Sequence, residues 1–200
     1  MKTILLIAGH GGLHAGAYAT AGKRGQLPNG LTVFEGVTNR EIKNMVLLLC
    51  EEAGFPVIDL VPEDADIGLT ERVRRANALY AGNKDLIWME IHLNAGGGSG
   101  LEVYTSVGQT KSDKIADVWL AEMAKLFPKA PIRKDMADGD ADKENPILYT
   151  VKTVKCPAIL TESFFMDHPG DMAILTSPEG KRKIARGHFN TIKRIHAEGL

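Results

Sequence analysis

The sequence contains little cysteine, no long apolar run and no block of charge of one sign. Its two cysteines, Cys50 and Cys156, both lie in apolar runs. We expect buried thiols rather than disulfides, and therefore synthesis in a reducing compartment. No apolar run approaches the roughly 18 residues that cross a bilayer, so membrane insertion is not expected. The 24 basic and 25 acidic side chains are interspersed and give a net charge of -1, which argues against nucleic-acid binding through bulk charge.

Glycine is the residue in excess, with 21 in 200 residues, where a usual content is about 7%. Eight glycines fall between Gly9 and Gly36, and four fall between Gly96 and Gly100. Such clusters indicate places where the backbone turns tightly or approaches another group closely. The chain has the length of one globular domain and contains no repeat or interdomain linker. A single domain over residues 1–200 is therefore predicted.

Apolar runs and helical periodicity alternate along the chain. Continuous apolar segments predict five strands, at residues 2–8, 54–60, 85–92, 101–105 and 157–162. Helices are predicted to begin at four caps, which are Thr38 (a capping box with Glu41), Thr70, Ser112 and Ser177. This alternation predicts an α/β fold with a mostly parallel, twisted sheet flanked by helices on both faces. The most polar stretch, residues 134–145, is expected to be a surface loop.

Ionisable side chains follow three of the predicted strands. His10 comes just after the first strand, His92 ends the segment DLIWMEIH, and Glu162 ends the segment PAILTE. The carboxyl ends of parallel strands share one edge of the sheet, where ligands bind in open α/β folds, so the three side chains are expected to lie close together. Imidazole and carboxylate groups are costly to bury unpaired. The arrangement therefore predicts a metal site rather than ordinary packing.

A catalytic zinc site uses three protein ligands and keeps one position open for water. His10 and His92 supply two ligands, and Glu35 is the best candidate for the third because its glycine-rich segment can fold back over the first strand. Such a metal lowers the pKa of bound water to about 7 and polarises a substrate carbonyl. Glu162 then remains unligated, and it can take a proton from the water and pass it to the leaving amine.

Several segments match one known family in order and spacing. They are AGHGG at 8–12, Glu35-x-x-x-Asn39, Leu69-x-x-Arg72 with Ala76-Asn77, residues 85–95, residues 101–104 and residues 156–162. The chain resembles, over nearly its whole length, the zinc-dependent N-acetylmuramoyl-L-alanine amidases, the catalytic domain of bacterial cell-wall amidases and phage endolysins. The resemblance implies zinc on His10, Glu35 and His92, with Glu162 as the catalytic carboxylate. It also implies cleavage of the amide between the lactyl group of muramic acid and the first L-alanine of the stem peptide.

The sequence departs from the usual family pattern at three places. Residues 7–9, Ile-Ala-Gly, precede His10 where Asp-Pro-Gly is commoner, and His14 stands where an aspartate is frequent. None of these positions is a ligand in the resemblance, so the expected zinc set is unaffected. The segment after Glu162 begins Ser-Phe-Phe, which is bulkier than the usual Gly-Phe and leaves the shape of the pocket floor open.

The expected partner is peptidoglycan, and the candidate substrate contacts are Asn94, Tyr149 and His14. The glycine-rich segment 96–100 lacks the Lys-Ser/Thr of a phosphate-binding loop, and it favours an open groove suited to a polymer. Two alternatives remain. One is another zinc amidohydrolase, such as a carboxypeptidase, acting on small acylated amino acids or peptides. The other is a non-catalytic wall-binding module that keeps the fold.

The apolar run at residues 2–8 is followed by Gly-His-Gly-Gly without a small-residue cleavage pattern, so no signal peptide is expected. No separate cell-wall-binding module is expected within the chain, and a monomer is predicted. These features resemble a phage lysin that is made in the host cytoplasm and acts on the cell wall after release through a holin. A bacterial enzyme that is sorted by another route is the alternative.

Overall fold

The computed structural model describes residues 1–200 and has a six-stranded sheet with helices on both faces. The strands are β1 Thr3–Ala8, β2 Leu13–His14, β3 Ala17–Tyr18, β4 Arg24–Gln26, β5 Thr32–Phe34, β6 Val57–Asp59, β7 Leu86–Asn94, β8 Leu101–Thr105, β9 Lys143–Glu144 and β10 Ala158–Phe165. The helices are α1 Glu35–Ala53, α2 Leu69–Gly82, α3 Lys111–Leu126, α4 Tyr149–Thr153, α5 Pro169–Thr176 and α6 Pro178–Glu198. None of these helices has the length and apolar character needed to cross a membrane.

The main sheet has the strand order β6-β1-β7-β10-β8-β9. The first four of these strands are parallel, whereas β8 runs antiparallel to β10 and pairs in parallel with β9. The two remaining strand pairs, β2-β3 and β4-β5, form small antiparallel ribbons in the glycine-rich segment before α1. The predicted α/β fold with a mostly parallel sheet flanked by helices is therefore confirmed.

Strand β1 contributes to the apolar layers on both faces of the sheet. Ile4 and Leu6 pack with the cluster that includes α1, α3, α5 and α6, whereas Leu5 and Ile7 pack with the cluster that includes α2 and α4. Successive strand side chains point to opposite faces, so a strand that is covered on both sides reads as a continuous apolar run. This explains why β1 was recognisable from its sequence.

Both cysteines are buried free thiols, as expected. Cys50 lies on α1 and packs in the larger apolar cluster, whereas Cys156 lies just before β10 in the smaller cluster. Burial raises the pKa of each thiol to about 11. Neither cysteine is therefore an activated nucleophile, since reactive cysteines have a lowered pKa.

Helix α1 begins at Glu35 rather than after a cap at Thr38, so the predicted capping box is wrong. Thr38 is buried within the helix, and no side chain of the N-cap residue, Phe34, accepts a hydrogen bond. The backbone N–H of Gly36, in the first turn of the helix, instead donates to the Tyr18 hydroxyl at 3.0 Å. A side chain from β3 thus accepts a hydrogen bond from the first turn of the helix, where the acceptor is usually the side chain of a neighbouring residue.

The remaining helix starts differ less from their predictions. Helix α2 begins at Leu69 after Gly68 rather than at Thr70, and α3 begins at Lys111. In α3 the cap is Thr110, which forms a capping box with Asp113, rather than the predicted Ser112. The Ser177 cap of α6 is confirmed, because its hydroxyl accepts a hydrogen bond from the Gly180 N–H at 2.9 Å.

Residues 134–139 of the polar stretch 134–145 are exposed and outside helices and strands, as predicted, but the end of the stretch is not a surface loop. Lys143 and Glu144 form β9 at the edge of the sheet, next to β8. The Asp142 side chain is buried and accepts a hydrogen bond from the Thr105 hydroxyl at 2.5 Å. The charged sequence of β9 did not indicate a strand. The strand forms by pairing with β8, which lies almost forty residues earlier in the chain.

His188 on α6 is a fully buried ionisable side chain. Its Nδ1 lies 2.9 Å from the Ile184 carbonyl oxygen, and its Nε2 lies 3.0 Å from the Thr161 hydroxyl on β10. The Ile184 carbonyl can only accept, so Nδ1 of His188 carries the proton. The Thr161 hydroxyl beside Nε2 also lies 3.1 Å from the Glu90 carbonyl oxygen, to which it can donate. Burial lowers the pKa of His188 to about 4.

We expect the free energy of unfolding to fall as the pH decreases from about 6.5 to about 4. The unfolded chain takes up a proton at the ordinary histidine pKa, whereas the folded site resists protonation, so acid favours unfolding. The lowered pKa of His188, about 4, corresponds to a loss of about 3 kcal/mol across this range. Urea unfolding of the wild type and of His188→Leu at several pH values measures the difference.

In that comparison His188→Leu should lack the loss, while His14→Gln, a change at an exposed residue of β2, should retain it. The same pH dependence in the wild type and in His188→Leu contradicts the prediction.

Candidate metal centre

The carboxyl edge of the sheet brings together three side chains that are far apart in sequence. Strand β7 lies between β1 and β10, with Ala8 opposite Ile91 and Glu162 opposite His92. His10 follows the end of β1, and Glu162 faces the same side of the sheet as His92. The prediction that these side chains meet at one edge is confirmed, because parallel strands end on the same side. The predicted strand ends are wrong, since β7 and β10 continue past His92 and Glu162 to Asn94 and Phe165.

Glu35 places its carboxylate between the two histidines. Its Oε1 accepts a hydrogen bond from His92 Nδ1 at 2.9 Å, and its Oε2 lies 3.2 Å from His10 Nε2. The two imidazole rings meet edge to face, with 5.0 Å between their centroids. One ligand atom from each of His10, Glu35 and His92 lies within 4.8 Å of the other two. These three residues form a possible metal-binding group.

The turn that carries His10 is held by buried polar side chains. The His10 carbonyl accepts from Arg40 at 2.8 Å and from Arg72 at 3.2 Å, and Arg72 also donates to the Ala8 carbonyl at 2.9 Å. Asn39 donates to the Gly9 carbonyl at 3.2 Å. His10 itself has a φ of 63°, an uncommon left-handed conformation for a residue other than glycine. These contacts hold the backbone from which the His10 side chain projects.

Two glycines permit the close approach of the segments around this group. A Cβ atom at Gly9 would overlap the ring of His92, and a Cβ atom at Gly36 would overlap the Gly11 carbonyl group. Strand β1 can therefore meet β7, and α1 can meet the turn after β1, only without side chains at these positions. This accounts for part of the glycine excess before residue 36.

The electrostatics of the group depend on carboxylates and imidazoles that face each other. Burial by itself lowers the pKa of His92, but the carboxylates of Glu35 and Glu90 raise it to about 10. Burial opposes ionisation of Glu35, but the two histidines hold the pKa of its carboxyl far below its usual range. The protein alone therefore favours a negative carboxylate beside a positive ring, an arrangement that accommodates a cation in place of the ring proton.

Glu162 lies beside this group without a hydrogen-bonding partner for one of its oxygens. Its Oε2 is enclosed and accepts no hydrogen bond. Burial raises the pKa of Glu162 to about 8, while the positive charge of His92 acts in the opposite direction. A carboxyl group with a raised pKa and a free oxygen is a candidate for proton transfer.

The side chains face a cavity of about 580 Å³. Its lining includes six of the predicted site residues, which are His10, Glu35, His92, Asn94, Tyr149 and Glu162. The Asn94 amide donates to Glu102 Oε2 at 3.0 Å, so part of its hydrogen-bonding capacity is already used. His14 is exposed on β2 and does not line this cavity.

The sequence analysis missed three ionisable residues that line the same cavity. Lys23 and Arg24 lie at its margin near β4, and Glu90 lies on β7 beside His92. Glu90 was detectable in principle, because residues two apart on a strand share one face. It was overlooked because it stands within an otherwise apolar run that indicated only a buried strand.

A mixed α/β sheet with a possible metal-binding group at its carboxyl edge defines the class of protein. The family model described as N-acetylmuramoyl-L-alanine amidase matches residues 4–194. The chain belongs to the N-acetylmuramoyl-L-alanine amidase family, as the sequence resemblance predicted.

Named relatives and solved structures agree with this assignment. The chain is 30% identical over 196 residues to the N-acetylmuramoyl-L-alanine amidase CwlM of Bacillus licheniformis, covering 97% of this chain and 68% of the relative. It is 28% identical over 200 residues to the endolysin of Bacillus phage SPP1, covering 97% and 66%. The crystal structure of the amidase Ami1 from Mycobacterium smegmatis has the same fold, with a TM-score of 0.76, 20% identity and coverage of 98% and 97%.

We predict that Gly9→Ala destabilises the protein by about 1–3 kcal/mol, because the added methyl group must displace the His92 ring. Urea unfolding measures the stability, and the NMR resonances of the His92 ring report its displacement. Gly82→Ala is the matched control, since a Cβ at this last residue of α2 meets no atom within 4 Å. Wild-type stability and unchanged His92 resonances in Gly9→Ala contradict the prediction.

Proposed function

We propose that this protein is a zinc-dependent peptidoglycan amidase that cleaves the bond between N-acetylmuramic acid and the L-alanine of the stem peptide. The observation that carries the proposal is the group of His10, Glu35 and His92 beside Glu162 in one cavity. Membership of the amidase family supports the substrate and the bond. The site of action is the cell wall, reached through holin-type release if the protein is phage-encoded.

The donor set fits zinc in its chemistry and spacing. Two imidazole nitrogens and one carboxylate are a typical protein ligand set for catalytic zinc, and they leave a position for water or substrate. Ligand atoms about 2.0–2.2 Å from a tetrahedral ion lie roughly 3.3–3.6 Å apart, and one donor atom from each of the three residues lies within 4.8 Å of the other two. Zinc bound there supplies a Lewis acid for the scissile carbonyl and a water of lowered pKa.

Glu162 is the residue that moves protons in this proposal. A cation nearby lowers the pKa of a carboxyl group, which counteracts the effect of burial on Glu162. Its carboxylate can then take a proton from the attacking water and return it to the amine of the departing L-alanine. Water is added across one amide bond, so the products are a free muramic acid carboxyl group and a free amino terminus.

Basic side chains at the margin of the cavity indicate where the substrate approaches. Lys23 and Arg24 are exposed there, and neither takes part in an ion pair. Two free cations at the margin of an otherwise acidic cavity can attract the free carboxylates of a stem peptide. Asn94 and Tyr149 lie on the cavity wall, where they can contact the substrate.

Glu162→Gln should lower the rate of release of stem peptides from purified peptidoglycan by about 100-fold or more, because the amide cannot transfer protons. Its zinc content should equal that of the wild type, since Glu162 is not a ligand. Mass spectrometry of digested muropeptides identifies the broken bond, and elemental analysis measures zinc.

The control is Glu122→Gln, the same change at an ion-paired carboxylate on α3, which should leave the rate unchanged. The proposal fails if Glu162→Gln keeps the wild-type rate. Cleavage of soluble acylated amino acids but not of muropeptides indicates a small-substrate amidohydrolase instead.

Removal of the metal should abolish hydrolysis, and addition of Zn²⁺ should restore it. Mg²⁺ should not restore hydrolysis, because it prefers oxygen ligands to imidazole. His10→Ala should lose most of its zinc, since only two ligands remain. The measurement is hydrolysis of defined muropeptides before and after treatment with a strong chelator. Full activity of the metal-free protein excludes the zinc assignment.

A further inference from the structure

Glu90 is a buried carboxylate on the inner side of His92. It is 1% exposed and lies two residues before His92 on the same face of β7. Its Oε1 is 3.3 Å from His92 Nε2, and this is the only ion pair that Nε2 makes. His92 therefore has a carboxylate on each side of its ring, with Glu35 at Nδ1 and Glu90 at Nε2.

Both oxygens of Glu90 are engaged by the protein. Oε1 also lies 3.5 Å from the Arg72 guanidinium, and Oε2 accepts a hydrogen bond from the Thr150 hydroxyl at 2.8 Å. Arg72 is itself buried and is held by the backbone carbonyls of Ala8, His10 and Ile67. A buried carboxylate is costly unless it is paired, and these contacts fix Glu90 in one position.

The two ring nitrogens of His92 thus have different surroundings. Nδ1 faces Glu35 within the group of three candidate ligands, whereas Nε2 faces a carboxylate whose oxygens are already occupied. A histidine that binds a metal through one nitrogen commonly donates its other N–H to a carboxylate, which sets the tautomer and strengthens the ligand. Nε2 of His92 is buried and has no hydrogen-bonding partner in the protein alone. Glu90 Oε1, 3.3 Å away, is the carboxylate oxygen nearest to it that can receive this N–H.

We propose that Glu90 is a positioning residue that holds the Nε2–H of His92, so that Nδ1 is presented to the metal. The inference rests on the proposed function only in requiring that the group binds zinc. Arg72 and Thr150 hold Glu90 in turn, and Arg72 links this contact to the turn that carries His10. In this arrangement Glu90 acts through His92 and is not itself a metal ligand.

The test measures zinc affinity directly, by competition with a chromophoric chelator. Glu90→Gln keeps the length of the side chain and removes its charge, whereas Glu90→Asp keeps the charge and shortens the reach. Each should weaken zinc binding by about 10- to 100-fold. Thr150→Val, which removes one donor to Glu90, should weaken it by less. The visible absorption of the cobalt-substituted protein should change in both Glu90 variants, because the ligand field depends on the orientation of His92.

Glu122→Gln is the matched control for general destabilisation, because it removes a carboxylate that is also buried and ion-paired but lies on α3. It should bind zinc with wild-type affinity whatever its melting temperature. Wild-type zinc affinity and an unchanged cobalt spectrum in Glu90→Gln would falsify the positioning role.

The outcome for the proposed function can be separated from this result. A wild-type protein that binds zinc but does not hydrolyse muropeptides overturns the amidase proposal and leaves the role of Glu90 to be decided by the affinities. A wild-type protein that binds no zinc overturns both proposals.

Discussion

The site depends on the close packing of the His92 ring against the backbone of Gly9. Strands β1 and β7 are neighbours, and a side chain at position 9 would occupy the space of the imidazole. His10 and His92 can therefore lie edge to face only because the residue between β1 and His10 has no Cβ. A similar contact between Gly36 and Gly11 brings the start of α1, and with it Glu35, over the same edge. Glycine in this region permits close approach rather than flexibility.

Carboxylates and imidazoles alternate across the site, from His10 to Glu35, then to His92 and Glu90. This order distributes charge among side chains that are largely buried. Buried carboxylates require compensating charge, which the proton on the His92 ring provides in the protein alone. A divalent ion can replace a ring proton at Glu35 without disturbing the outer contact between His92 and Glu90. The outer pair is stabilised separately by Arg72 and Thr150.

The sequence predicted the fold class and the edge of the site from local features. Strands β1, β7 and β10 are largely apolar, and His10, His92 and Glu162 come toward or just after the carboxyl ends of these runs. The start of α1 was misplaced, because the Thr38–Glu41 pattern is a valid local cap that the fold does not use. In place of this cap, the Tyr18 hydroxyl accepts a hydrogen bond from the Gly36 N–H. Edge strand β9 and the short helix α4 gave no periodic signal, since both are too short for one.

The sequence alone determined where the buried strands β1, β7 and β10 lie, because hydrophobicity and alternation act over a few neighbouring positions. It placed the ends of two of them too early, since β7 and β10 continue past His92 and Glu162 to Asn94 and Phe165. Only the tertiary structure decided that Glu35 lies between two histidines, since its contact with His92 joins residues 57 positions apart. It also decided that Glu90, read as part of an apolar strand, pairs with Arg72 and faces His92. Such contacts are set by the distances between packed elements, and no local pattern encodes those distances.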